Sequence, residues 1–405
     1  MANLYDKASF ILTANAYSSS KLFSVKPTNG TGDLTFTRAS SGSRINSNGV
    51  LELVGNNVPR LTYSGSSCPQ FLFEPQRTNL LLSSDNLSDN SYWFRNISNT
   101  SASIELISGP YGATISSSKI TFGGYNSGQI YINPALITVS QSIYTYSVWV
   151  KGINGQTLNV GVNDPNDFTN FKSYSLVTFN GQWQRVTGSY TAPSASTDFF
   201  IRNTFPTLTN ATVFNVWAPQ VELGRYPTSY IPTTTATVTR IEDTSETPGL
   251  SSLIGQREGT LFIDYTPTFL AVNNASNNPG ILKINNSIYG TLVISQNSSD
   301  FIQASVWSGS TIPTSEVVTL FSSAKVNLSS SYKIAFAYSS SNSKLYINGI
   351  QNGTSTAIYN TFNTTLDRLY LTDSGFSATV NQNLFKTVAI YKTRLSDSEL
   401  IALTT

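Results

Sequence analysis

The 405-residue sequence predicts an all-β protein. Three observations carry this: period-two alternation of apolar and polar residues along most of the chain, a load of 21 Tyr and 22 Phe, and turn residues recurring between the runs. Such aromatic weight demands buried surface, so the low charge (11%) does not signal disorder.

The first apolar groups, Leu4-Tyr5 and Phe10-Ile11-Leu12, have no evident core of their own, and a Gly-rich polar break follows at 29–33. A second break lies at 65–69. The clearest strand is Ile143–Val150, with Tyr144, Tyr146, Val148 and Val150 on one face and Ile143, Thr145, Ser147 and Trp149 on the other. Apolar groups on both faces suit a sandwich strand covered on one side by its own core and in part on the other. Asn-Gly pairs at 48–49, 154–155, 180–181, 348–349 and 352–353 supply the positive φ of tight hairpins, hence antiparallel sheets. Tyr226-Pro227 to Ile231-Pro232, followed by three threonines, cannot be a central strand and marks a handover between domains. Only the end looks helical: Ser396-Asp397-Ser398-Glu399 is a capping box before Leu400, Ile401 and Leu403. No 20–50-residue repeat is present. The expected division is 1–84 as an extended attachment segment, then two antiparallel β-sandwich (jelly-roll) domains at 85–235 and 236–405, closed by the short helix.

Composition excludes much chemistry. Twenty-four basic against 22 acidic residues give +2, with no electrostatic footprint for nucleic acid. Without histidine and with one cysteine, Cys68, there is no Ser-His-Asp or Cys-His catalysis, no His-ligated or Cys-clustered zinc, and no intramolecular disulfide. No apolar run approaches a membrane span and the N-terminus has no signal-peptide pattern, so the expectation is a protein made in the cytoplasm without membrane insertion.

Three segments resemble modules of tailed-bacteriophage virion proteins. Phe36-Thr37-Arg38-Ala39-Ser40, Asn48 to Glu52, Pro59-Arg60-Leu61 and Phe73-Glu74-Pro75-Gln76-Arg77-Thr78-Asn79 resemble the lead-in of phage head and tail appendage proteins. Tyr144 to Lys151 and Trp217-Ala218-Pro219-Gln220-Val221-Glu222 to Thr233 are similar to a jelly-roll related to carbohydrate-binding modules of the family 4/9 type. Gly259 to Tyr265, Lys344 to Gly349 and Tyr391 to Leu400 resemble a concanavalin A-like, laminin-G-like sandwich. Folds of these kinds host lectins, glycanases and inert structural domains, so the resemblance implies the fold and leaves function to the residues.

A glycanase needs two flanking carboxyl groups, and the glucanase pattern of Glu, Asp and Glu on alternate positions of one strand is absent. Asp264, Glu316 and Asp367 are therefore read as surface or turn residues, and no catalytic residue is expected. Sugar binding calls for aromatic faces beside amides and carboxylates. Tyr111, Tyr125, Asn126, Tyr131, Asp164 and Asn166 in the middle domain, and Tyr289 and Trp307 in the last, are the candidates, whereas Trp93, Trp149, Trp183 and Trp217 read as core. The turn 163–167 has oxygen ligands suited to calcium, but its commoner use is an Asx turn, and no cofactor is assigned. In the lead-in, Arg38, Arg60, Glu74 and Arg77 read as structural ion pairs. The expectation is a homotrimeric virion appendage, a head or tail fibre or decoration subunit without enzyme activity, bound to other virion proteins through its N-terminal segment and displaying lectin-like domains to host-surface glycan. Two alternatives stand beside it: a capsular polysaccharide depolymerase of a tail spike, and a purely architectural virion protein.

Overall fold

The computed structural model describes the chain except residues 1–2, 64–66, 96–99, 123–128, 133–135, 165–166, 194, 204–211, 271–278, 286–290, 309–314, 329, 360–361, 363–364 and 372–381. The protein is all-β, with antiparallel strand pairing throughout the described residues. The chain divides into two compact units. Unit 1 comprises Met1–Arg44, Leu53–Gln76 and Ile241–Thr405; unit 2 comprises Ile45–Glu52 and Arg77–Arg240. The second is thus an insertion in the first.

Unit 1 holds, counting described residues, an eight-stranded and a nine-stranded sheet. Strand Glu258–Thr266 lies between Tyr332–Ser339 and Asn383–Tyr391 in the former. Strand Leu34–Thr37 belongs to the latter and alternates as its sequence dictates, Leu34 and Phe36 buried, Thr35 and Thr37 exposed. Leu261, Ile263 and Phe336 of one sheet share an apolar cluster with Ile284, Leu292, Ile294 and Leu369 of the other.

The expected boundary at residue 84 meets a different arrangement. Phe10–Thr13 pairs with Asn383–Tyr391, Phe10 opposite Ile390, and Phe10 and Leu12 are fully buried in the unit 1 core. Gln70–Phe73 lies on the same strand, Phe71 opposite Phe385. Short apolar runs show no core of their own in the sequence because their partners lie over 300 residues away.

Helix Asp397–Thr404 has the expected capping box: Ser396 Oγ accepts from Glu399 N, and Glu399 accepts from Ser396 N at 2.8 Å. Leu400 packs with Phe262, Ala335, Ala337 and Tyr391 on the outer face of the eight-stranded sheet. Lys7 bridges to Glu399, and Asp397 receives Lys344 at 2.5 Å and Arg394 at 3.0 Å.

Unit 2 has a five-stranded and a six-stranded sheet over one core. Ile143–Gly152 sits between Val213–Leu223 and Gln184–Thr191, and Tyr144, Tyr146, Val148 and Val150 enter the core as the alternation requires. Trp93 is a core residue, 1% exposed, its Nε1 donating to Ser83 O at 3.0 Å. The other three expected core tryptophans are only half-buried. Trp149 and Trp217 face each other on the outer side of the five-stranded sheet and are covered by local chain: Tyr111 lies 5.6 Å from Trp149, Tyr230 lies 6.1 Å from Trp217, and Trp183 Nε1 donates to Ser108 O at 2.7 Å. Strand alternation reports the face, and it does not report what a neighbouring turn lays over it.

Four of the five Asn-Gly glycines have positive φ, at 49, 155, 181 and 349, and at 348–349 both residues do, as a type I′ turn requires. Gly353 instead lies inside strand Ile350–Ser355, opposite Leu345 and beside a register shift. The proline-rich stretch is no loose linker either. Thr228 donates from N and Oγ1 to Glu222, both at 2.7 Å, Ile231 N donates to Gln220 Oε1 at 2.7 Å, and unit 2 continues to Arg240.

Replacing Phe10 by Ala removes a fully buried ring and should lower the stability of unit 1 by about 3–5 kcal/mol. Denaturant unfolding with separate probes in the two units should show the unit 2 transition unmoved. The hydrogen bond from Lys7, then those from Ser396, hold the Glu399 carboxyl down at about 2 against its ordinary 4.5. A depressed carboxyl contributes stability that is full above the unfolded value and lost as pH falls through the folded one. Wild type should therefore lose more thermal stability between pH 4.5 and 2 than Glu399→Gln.

Candidate functional site

The outer face of the six-stranded sheet in unit 2 carries a row of rings. Strand registers place Phe94 opposite Tyr131, Tyr131 opposite Phe200, Phe200 opposite Gly161 and Gly161 opposite Tyr174. Alternate neighbours Trp93, Ile130, Phe199, Val160 and Val162 fill the core, so the row faces away from it. Five strands crossed at ~4.8 Å spacing make a strip roughly 19 Å long. Phe94 and Tyr131 stand 5.2 Å apart, and Phe94 and Tyr174 are about half exposed, at 45% and 56%.

Polar side chains border the strip on both sides. One border is Gln129, Arg202 and Asn159, in register across three strands; the other is Asp198 opposite Asn163. The Arg202 guanidinium lies 5.5 Å from the centre of the Phe200 ring. Asn159 and Asn163 are 5% and 2% exposed, and the buried Oδ1 of each has no hydrogen-bond donor among the described residues. Burial, and secondarily the Asp198 charge, push the Tyr131 hydroxyl up, so it stays a neutral donor. Burial pulls the Arg202 pKa down. The exposed part of the row is Phe94 and Tyr174, whose ring faces are open to C–H groups, whereas Phe200 is 1% exposed.

The sequence-predicted residues fall in, around and away from this strip. Asp164 ends strand Thr157–Asp164, which supplies Asn159, Gly161 and Asn163. Tyr125, Asn126, Asn166 and Tyr289 lie outside the described residues. Tyr111 is on the opposite sheet's side of unit 2, packed on Trp149. Trp307 is in unit 1, half-buried in strand Phe301–Ser308 opposite Thr291. Tyr131, a sequence candidate, lies in the row, and Asn163 of the 163–167 turn borders it; Phe94, Phe200, Tyr174 and Asn159 were not singled out from the sequence. Their signal was present in Asn159-Val160-Gly161-Val162-Asn163, where polar residues alternate with valines, and in Phe199-Phe200, which puts rings on both faces. Among the described residues no three acidic or cysteine side chains gather as a metal site.

The lead-in charges build a different structure, inside unit 1. Arg38 Nη1 donates to Asp243 Oδ1 at 2.9 Å, and Arg60 donates to Glu74 Oε2 at 2.6 Å and also to Asp243 Oδ2. All four side chains are completely buried. Glu74 N and Gln382 Nε2 add donors to the carboxylates at 2.9 and 3.1 Å, and Asp243 N donates to Glu74 O at 2.9 Å. Two cations and two anions cancel, and the partly filled carbonyls Ser40 and Gly55 each take an Arg38 N–H at 2.9 Å. Arg77 sits apart in unit 2, 3.7 Å from Glu222. Of the acids weighed for catalysis, Asp264 accepts from Ser331 Oγ at 2.6 Å in the eight-stranded sheet, Glu316 lies in strand Ser315–Lys325 of the nine-stranded sheet, and Asp367 is 3.9 Å from Arg368.

Residues 266–401, the larger part of the C-terminal stretch of unit 1, match the family model described as the Concanavalin A-like lectin/glucanases superfamily. The chain thus carries a lectin-type β-sandwich domain. No curated protein matches the sequence. Similar solved structures include the CBM40 of the Ruminococcus gnavus IT-sialidase bound to α2,3-sialyllactose, at 20% identity over 39% of this chain and 90% of that one, TM-score 0.32. Domain 4 of AbnA, a GH43 extracellular arabinanase from Geobacillus stearothermophilus, in complex with arabinotriose, is 15% identical over 42% and 77%, TM-score 0.32. A heptameric SAP-like pentraxin from Limulus polyphemus is 10% identical over 37% and 70%, TM-score 0.29. Likenesses this weak assign no ligand to this chain.

Asp243→Ala leaves two buried guanidinium groups without their shared anion and should cost about 3–5 kcal/mol in denaturant unfolding. Lys119→Ala, which breaks the exposed 3.4 Å pair with Glu105, should cost only about 0–1 kcal/mol.

Proposed function

We propose that the protein is a non-enzymatic virion appendage subunit of a tailed phage, a head or tail fibre or decoration protein that holds lectin-like domains against host-surface glycans. The observation that carries the adhesive part is the ring row on the outer face of unit 2, in which Phe94 and Tyr174 are about half exposed. Saccharide C–H faces would lie on those rings. The lead-in residues, spent on a buried structural network, and the match to a lectin-type superfamily support the appendage reading. Of the acids weighed for catalysis, Asp264 and Glu316 stand on strands of different sheets and Asp367 lies outside any strand, which supports a binding role over depolymerase chemistry.

A shallow sugar site commonly reaches only about millimolar affinity, near −4 kcal/mol, and repeating it around a symmetry axis multiplies avidity. A homotrimer supplies that repetition, with the N-terminal part of unit 1 receiving another virion protein. Electron microscopy of intact particles tests the location; light scattering tests the stoichiometry.

The binding site is tested by screening the full chain against neutral oligosaccharides. Tyr174→Ala should weaken the hits by about tenfold, near 1.4 kcal/mol. Phe94→Ala, which removes the other half-exposed ring, should weaken them to a similar degree. A screen without hits returns the architectural reading, and release of reducing ends from host capsule returns the depolymerase reading.

A further inference from the structure

The nine-stranded sheet of unit 1 has a groove on the side away from its core, with a volume of about 290 Å³. Thr35, Thr37, Thr244, Glu246, Pro248 and Tyr370 line it. The registers explain why these side chains meet: Thr37 is opposite Thr244, Thr35 opposite Glu246, and Glu246 opposite Tyr370, on three adjacent strands. Leu34 and Phe36 point the other way into the core, which commits Thr35 and Thr37 to the groove. Five of these six residues lie outside the 266–401 span that matches the lectin superfamily. The groove is therefore an addition made by the chain's own extra strands.

Its chemistry is specific. Glu246 is exposed and makes no hydrogen bond or ion pair with any described residue. Thr37 and Thr244 bond each other through their hydroxyls, holding both side chains in place and leaving each oxygen able to accept or donate once more. Tyr370, 9% exposed, is held from its far neighbour strand by Lys283, whose Nζ stands 5.8 Å from the ring centre. Lys283 is itself 5% exposed. An exposed carboxylate acceptor, hydroxyls beside it, and a tyrosine ring with a proline supply what an uncharged sugar ring presents: paired O–H donors on one edge and C–H groups on a face. An anionic ligand would meet the Glu246 charge, and a single carboxylate is too few ligands for a divalent cation.

We infer that this groove is a second saccharide site, independent of the strip in unit 2, and that it takes one uncharged pyranose residue whose vicinal hydroxyls donate to Glu246. The volume stands at the lower end of ligand pockets, about 300–1,000 Å³, which fits a single ring and not an extended chain. Unit 2 then reads a length of glycan across its strands, and unit 1 reads one residue.

Saturation-transfer NMR on the full chain tests this with the methyl glycosides of glucose, galactose, mannose and glucuronic acid. At least one neutral glycoside should show transfer that falls by about fivefold or more in Glu246→Ala and in Thr37→Val, both at exposed positions, and that persists in Tyr174→Ala. The glucuronide should transfer weakly. The inference is overturned by absence of transfer to every neutral glycoside, by transfer unchanged in Glu246→Ala and Thr37→Val, by loss in Tyr174→Ala instead, or by preference for the glucuronide. Because the unit 2 strip is probed by oligosaccharide binding and Tyr174, failure there leaves the groove standing, and failure here leaves the strip standing.

Discussion

The structure of unit 1 depends on four buried charges. Arg38, Arg60, Glu74 and Asp243 come from the three separated pieces of chain that make the unit, and each would be costly alone in a low-dielectric interior. Together they are neutral, and most of their remaining polar atoms find carbonyls and amides. Glu74 stands two residues before the chain passes into unit 2 at Gln76, and Asp243 stands two residues after the return at Ile241. Their mutual bonds, Asp243 N to Glu74 O and Glu74 N to Asp243 Oδ2, hold the outgoing and returning chain side by side. A hydrophobic quartet of similar volume would pack there, but it would not specify which strands meet. Burial pulls the Arg38 pKa down, while the charges of Asp243 and Glu74 outweigh burial and push that of Arg60 up; both stay cationic at any ordinary pH.

The same economy of charge shapes the surface. With charged residues at 11%, the proposed sugar contacts come mainly from rings and hydroxyls, joined in unit 1 by the Glu246 carboxylate. In unit 2 they form a strip perpendicular to the strands; in unit 1 they form a small groove at added strands. Both arrangements use the β-sheet's period of two: each residue that fills a core leaves its neighbour on the outer face.

What was legible in the sequence was whatever is local. Ile143–Val150 shows its two faces by alternation, Ser396 to Glu399 its cap, and Asn348-Gly349 its turn, because each depends on residues within one element. The burial of Phe10 opposite Ile390 depends on a partner 380 positions away, and the row from Phe94 to Tyr174 exists only once four registers are set. The charge cluster was half legible: Arg38, Arg60 and Glu74 stood out as rare charges, while their shared partner Asp243 looked like one of an adjacent acidic pair. Trp149, Trp183 and Trp217 misled for the opposite reason, since large rings on the outer face are covered by turns that the alternation does not report.

The insertion has a further consequence. The longer piece of unit 2, Arg77–Arg240, begins and ends on one antiparallel pair, Arg77 opposite Arg240. Cutting the module out at that point would leave two ends only about 5 Å apart, a gap spanned by an ordinary two-residue turn. Such a neck would let the Arg77–Arg240 piece be exchanged at a single junction, with only the eight residues Ile45–Glu52 of unit 2 left on the scaffold.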